Sequence, residues 1–153
     1  MPCMPELILH ANNGTRILIE KGVLNAPQEY RQKKSKDTEA GGILIGEYRG
    51  EDLRIVSATL PGILDKRSRI RFKRRSPHHN TAAISAWSAS KHIQTFTGDW
   101  HTHPEDHPTP SGLDLSEWQK KMPKRPMLLM IIGRVSSWYG LWDGKTIVKV
   151  TTL

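Results

Sequence analysis

Apolar and polar positions along this chain switch with short periods, a pattern that predicts many strands and few helices. Leu7–Leu9 and Thr15–Ile19 predict two short strands around an Asn12-Asn13-Gly14 turn. Gly41–Tyr48 (GGILIGEY) is a continuous apolar run of the buried-strand kind, and Gly50-Glu51-Asp52 turns it into another strand over Leu53–Leu60. Arg69–Lys73 alternates cation with apolar residue, which predicts a half-buried strand with a cationic outer face. Gln94–Thr102, Met127–Gly133, Ser137–Trp142 and Thr146–Val150 predict four more strands. Three segments predict helices. Gly22–Lys36 is the first, beginning near Asn25 as N-cap because Pro27 suits only a first turn. Thr81–His92 is the second, with Ala82, Ile84, Ala86 and Trp87 towards a core, and Ser111–Met122 is the third. The fold class expected is α/β (mixed α+β), a curved sheet with a few helices against it. No repeat, low-complexity tract or linker divides the chain, so one domain over residues 1–153 is expected.

Composition narrows the setting. Hydrophobic residues at 37% and charged residues at 25% are ordinary for a globular protein, and the longest apolar runs are strand-sized, too short for a membrane span. The start, MPCMPELILHANN, lacks a basic head and a long apolar stretch, so no signal peptide is expected. A lone Cys3 cannot form an intramolecular disulfide, which fits a reducing compartment and a cytoplasmic location. Lys and Arg number 23 against 15 Asp and Glu, a net +8 that favours anionic partners. The excess is concentrated in Arg31–Lys36 and Lys66–Arg75. No nucleic-acid signature accompanies it and no aromatics interleave with it, so a nucleic-acid partner is not expected.

The chemistry is concentrated in residues 98–114, GDWHTHPEDHPTPSGLD. His101 and His103 lie two apart at a strand end, so both imidazoles leave the same face and reach one ion. Asp114 follows at the start of the next helix, with Ser111 as its natural N-cap. Two His and one carboxylate leave a fourth tetrahedral position free, the arrangement of a catalytic rather than a structural zinc site, with one Zn2+ per chain. Glu105, Asp106 and His107 are competing donors in the intervening loop, read as loop residues. His10, His78, His79 and His92 are scattered.

Taken whole, His101-Thr102-His103, seven residues, then Ser111-x-x-Asp114 resembles the JAMM motif of the JAMM/MPN (JAB domain) metallopeptidases at every defined position. That family also places a glutamate at the head of an apolar Gly-rich strand, and Glu39-Ala-Gly-Gly-Ile-Leu-Ile-Gly46 stands there in this chain. The resemblance implies the JAMM/MPN (cytidine-deaminase-like) fold with a mostly antiparallel sheet. It further implies a zinc peptidase in which His101, His103 and Asp114 hold the metal. Glu39 would serve as general base and Ser111 would hydrogen-bond the developing oxyanion.

The family cleaves peptide or isopeptide bonds beside ubiquitin-like tails, so the implied partner is a protein with an extended C-terminal tail. That tail is expected to pair with a free strand edge near Leu53–Arg75. Arg67, Arg69, Arg71, Lys73, Arg74 and Arg75 would face an acidic partner body, or else form a solvated edge. As a compact JAMM domain, the chain is similar to bacterial deconjugating peptidases of cyclic-oligonucleotide anti-phage operons (CBASS). Those peptidases remove a cGAS-like nucleotidyltransferase from its targets. Two other readings stand beside it: a RadC-like, DNA-associated JAMM protein, and a JAMM peptidase that trims sulfur carriers.

Overall fold

The computed structural model describes residues 3–152. The expected curved sheet rolls further than the sequence pattern implied and closes on itself. Its strands are β1 (Leu7–Ala11), β2 (Arg16–Ile19), β3 (Gly41–Arg49), β4 (Asp52–Ala58), β7 (Thr95–Thr102), β8 (Met127–Ile132), β9 (Ser137–Trp142) and β10 (Ile147–Thr152). Around the ring they run β1-β10-β9-β8-β7-β3-β4-β2, every neighbour antiparallel except β2–β4 and β7–β8. A small hairpin, β5 (Lys66–Ser68) with β6 (Arg71–Lys73), stands apart from the barrel. Among the described residues there are three helices, α1 (Asn25–Glu29), α2 (His78–Ala89) and α3 (Gly112–Lys121). Among the described residues, no helix is long and apolar enough to cross a membrane.

The apolar run of β8 is buried on both faces, and its two faces serve two cores. Leu128, Met130 and Ile132 point into the barrel with Leu9, Ile17 and Trp100. Met127, Leu129 and Ile131 point outward and receive Trp118 of α3. Trp118 stacks on Trp138 with ring centres 5.8 Å apart, which fixes α3 against the outside of the barrel beside the end of β7.

Several helical and strand expectations are corrected. The helix expected over Gly22–Lys36 is only Asn25–Glu29, and Asn25 is its first residue rather than its cap. Like charges over Arg31–Lys36 give a longer helix no ion pairs, and Gln32 turns inward to bond to three other segments. The strand expected over Arg69–Lys73 begins only at Arg71. Arg69 and Ile70 form the turn of the β5–β6 hairpin, and Gln32 Nε2 holds the Arg69 carbonyl at 2.8 Å.

α2 begins three residues earlier than expected, after Pro77. Its rotation is set by His79, whose Nε2 contacts Asp65 Oδ2 at 2.8 Å and whose Nδ1 contacts Thr59 Oγ1 at 2.5 Å. With His79 inward, Ala82, Ala83 and Ala86 follow on the same face at helical spacing. Ile84 and Trp87, expected in the core, are therefore 65% and 42% exposed. Asp65 also accepts N–H bonds from Gly62, Arg75 and Ser76, so one carboxylate ties down both ends of the hairpin segment.

Candidate metal and catalytic centre

The register of β3 against β7 builds the centre. Gly41 pairs with His101, and the Thr102 N–H donates to the Ala40 carbonyl at 2.9 Å. Carried one step outward, this register sets Glu39 opposite His103, so Glu39, His101 and His103 share one face of the sheet. The intervening residues Ala40, Trp100 and Thr102 point into the barrel and are buried. Gly41 falls between the functional positions on the outer face, and Phe72 lies over it. A Cβ there would come within 2.7 Å of both the Phe72 ring and the Trp100 carbonyl oxygen.

The fourth residue arrives on α3. Ser111 Oγ accepts the Asp114 N–H at 3.0 Å, and Asp114 Oδ2 accepts the Ser111 N–H at 2.9 Å, a reciprocal cap that fixes the carboxylate. Asp114 Oδ1 lies 3.2 Å from His101 Nε2, and Oδ2 lies 3.0 Å from His103 Nε2. The two Nε2 atoms are 3.1 Å apart. Three donors on one point are what a small cation demands: groups about 2.0–2.1 Å from a tetrahedral ion lie about 3.3 Å from each other. The donor set therefore fits zinc. Glu39 offers an oxygen within 4.8 Å of both histidine nitrogens, so it belongs to the same cluster.

Electrostatics separates the two carboxylates. Burial pushes Glu39 up from 4.5 to about 8; His103 opposes this, while Asp114 and Glu105 reinforce it. Burial also acts to raise Asp114, but hydrogen bonds from His101 and His103 overcome it and hold that carboxyl far below its usual range. A carboxyl must be ionised to bind a metal, so Asp114 suits coordination, and Glu39 suits holding and releasing a proton. For His103, burial acts downward but Asp114, Glu105 and Glu39 prevail and raise its pKa.

The loop donors fall into place away from the point of convergence. Glu105 Oε1 accepts from His103 Nδ1 at 2.8 Å, which leaves Nε2 aimed at the cluster. Asp106 pairs with Arg134 at 2.9 Å, and His107 contacts Ser136. Glu105 thus has an orienting role that the reading as a loop residue missed; its position two residues after His103 was the available signal.

A cleft of about 250 Å³ opens over the centre, with β6 along one wall and α3 along the other. Glu39, His101, Ser111 and Asp114 line it, as do Arg71, Lys73 and Arg74. The free edge expected across Leu53–Arg75 narrows to the hairpin, because β4 is paired on both sides by β3 and β2. Two of the arginines expected to face a partner stay exposed but spend their Nε atoms on backbone carbonyls of this chain. Arg67 Nε donates to the Glu39 carbonyl at 2.8 Å, and Arg69 Nε donates to the Ser35 carbonyl at 2.9 Å. Arg74 is paired with Asp99 at 2.6 Å. Arg71, Lys73 and Arg75 remain as the outward cations.

Comparison with known proteins places this geometry among relatives. Residues 28–143 match the model of the prokaryotic homologs of the JAB domain. The chain is 40% identical over 137 residues to a CD-NTase/cGAS isopeptidase of Pseudomonas aeruginosa (strain BWHPSA011 / Pa011), covering 87% of each. It is 36% identical to the CD-NTase/cGAS isopeptidase of Escherichia coli (strain TW11681), covering 90% of this chain and 88% of that one. It is also 36% identical to that of Vibrio cholerae serotype O1 (El Tor Inaba N16961), covering 88% and 87%. In fold it is similar to the solution structure of protein DSY2949 from Desulfitobacterium hafniense, with a TM-score of 0.57 at 19% identity over 91% of this chain and 88% of that one.

Proposed function

The chain belongs to the prokaryotic homologs of the JAB domain, and on that premise we propose that it is a zinc-dependent isopeptidase. Its substrates are conjugates of a cGAS-like nucleotidyltransferase, which it releases from target proteins in bacterial anti-phage defence. Of the three readings the sequence left open, this is the one the relatives' names support. The proposal includes a single JAMM unit over residues 1–153 and a cytoplasmic location, where a lone exposed thiol at Cys3 stays reduced.

The observation that carries the reading is the convergence of His101, His103 and Asp114 at 3.0–3.2 Å on the floor of an open cleft. Zinc held by these three supplies Lewis acidity to a water and to the scissile carbonyl. Glu39 accepts the proton that water gives up and delivers it to the departing amine, a role suited by a carboxylate set beside the histidine nitrogens, which a neighbouring dication keeps ionised until it takes that proton. Ser111 Oγ takes its lone-pair contact from the Asp114 N–H, so its O–H is free to donate to the carbonyl oxygen as negative charge develops there. An extended tail pairs with the outer edge of β6, which brings the scissile bond past Glu39 without requiring a particular side chain.

The test is elemental analysis together with cleavage of a nucleotidyltransferase–protein conjugate. The expected result is about one zinc per chain, lost in His101→Ala and Asp114→Ala along with cleavage. A His101→Ala/His103→Ala protein that stays fully zinc-loaded would refute the ligand set. A zinc-loaded wild type that leaves the conjugate intact would refute the substrate.

A further inference from the structure

Gln32 is 0% exposed and lies outside the motif, yet its amide joins three segments that border the catalytic centre. Nε2 donates to the Arg69 carbonyl at 2.8 Å, in the turn of the hairpin. The same nitrogen donates to the Asp37 carbonyl at 3.2 Å, two residues before Glu39. Oε1 accepts from Thr102 Oγ1 at 2.8 Å, and Thr102 stands between His101 and His103. Thr102 Oγ1 in turn accepts the Ala40 N–H at 3.0 Å, directly after Glu39. Both amide hydrogens and the amide oxygen are used, so the side chain has one satisfied orientation.

The hairpin grips the same glutamate from the other side. The Glu39 N–H donates to the Ser68 carbonyl at 2.7 Å, and Arg67 Nε donates to the Glu39 carbonyl at 2.8 Å. Arg67 is steadied over the Tyr30 ring at 5.7 Å. The backbone of Glu39 is therefore mounted on the hairpin that walls the cleft, and Gln32 registers hairpin, glutamate and histidine strand to each other.

We propose that Gln32 is a positioning residue for the isopeptidase reaction: it holds Glu39 in register with His101 and His103 while docking the hairpin on which the substrate tail lies. This deepens the reading of the active site given above and rests on it. A buried glutamine with a purely structural role would support the barrel as a whole. Gln32 instead bonds to none of the barrel's strands except β7, at the single residue between the two histidines.

The discriminating variant is Gln32→Met, which keeps the length and burial and removes every one of these bonds. A reacting group displaced by about 1 Å costs about 100-fold in rate. The expected result is therefore a fall of about 10- to 100-fold in kcat, with zinc content unchanged and a smaller change in KM. Amide hydrogen exchange of the zinc-loaded protein gives a readout independent of turnover. Glu39 and Ala40 should lose protection in Gln32→Met while the β8 amides keep theirs. Thr102→Val, which removes the relaying hydroxyl at constant shape, should reproduce the kcat loss. The double variant should then be little worse than either single one, because both act through one network.

Should Gln32→Met not fold, Gln32→Glu keeps the shape and an acceptor for Thr102. Held neutral by burial it retains one donor, so a smaller kcat loss with the same exchange pattern is expected. Unchanged kcat with Glu39 still protected overturns the proposal. So does a parallel loss of zinc, β8 protection and activity, which would mark Gln32 as a residue of general stability. Failure of the functional reading looks different: wild-type protein would then be inactive on the conjugate while the exchange difference at Glu39 and Ala40 persisted.

Discussion

Replacing Glu39 with glutamine should slow turnover steeply and, at the same time, make the metal-free protein more stable. Glu39 is 4% exposed, and burial next to the Asp114 and Glu105 carboxylates raises it from 4.5 to about 8. A carboxyl raised in the folded state favours folding in its neutral form. Below pH 4.5 it is neutral in both states and the effect is fully present. As pH rises from 4.5 towards 8, the unfolded chain ionises first and stability drains away. Each pH unit in that interval costs about 1.4 kcal/mol, so at pH 7 the wild type gives up about 3 kcal/mol that a glutamine keeps. Incomplete desolvation makes this figure an upper value. With a urea dependence of about 1–3 kcal/mol per molar, the midpoints of chelator-treated wild type and Glu39→Gln should separate by about 1–3 M at pH 7. They should converge at pH 4.5, and the gap should stop widening above pH 8. Restoring zinc should narrow the gap, since a neighbouring dication favours the ionised carboxylate. Kinetically, loss of the proton acceptor should lower kcat by about 10²–10⁴-fold. Equal midpoints at pH 8, or a gap that does not change between pH 5 and pH 8, would refute the reasoning.

Two further outcomes test the walls of the cleft. Ser111→Gly keeps most of the helix cap, which costs only a few tenths of a kcal/mol to change to glycine, but it removes the hydroxyl. Thermal unfolding should stay near wild type while kcat falls by about 10²-fold, and wild-type turnover would leave the hydroxyl as a cap alone. Reversing the outward cations with Arg71→Glu/Lys73→Glu should lower kcat/KM on the intact conjugate and flatten its salt dependence, with a smaller fall on a short neutral peptide, which meets only the cleft wall. Equal activity on the conjugate at low salt would make those cations a solvated edge.

What the sequence made legible depended on how narrowly the chemistry constrains residue type. A metal ligand set admits few residue types at fixed spacing, so His101, His103, Asp114 and the capping Ser111 could be read directly, and the structure brings them together. Glu39 was legible only beside them, because a lone carboxylate after Lys36-Asp37-Thr38 has an ordinary meaning of its own. The strands of the barrel could be read from their apolar runs, but closure could not, since it depends on pairings such as β1 with β10 across most of the chain. α2 was misread for a related reason. Its core-facing side is set by His79 reaching Asp65 and Thr59, and no helical periodicity announces a histidine that serves as the inward anchor.

The arginines of the hairpin show why charge is a poor guide to where a side chain goes. Lys66–Arg75 reads as one cationic surface, yet its members divide according to what backbone lies within reach. The Glu39 segment must arrive at the histidines without being part of a long helix or a paired strand, so its carbonyls need donors from elsewhere. Arg67 and Arg69 supply them to the Glu39 and Ser35 carbonyls, and Gln32 supplies them to Asp37 and to the hairpin's own turn. An exposed guanidinium can make such bonds while the rest of it stays in water, which an apolar residue could not do. The same arrangement has a functional consequence. Burial and the neighbouring Asp114 and Glu105 carboxylates disfavour an ionised Glu39, and a loosely held Glu39 would escape that cost by swinging out to solvent. Hydrogen bonds from the hairpin oppose this, so the glutamate waits in the buried position where its proton affinity is high.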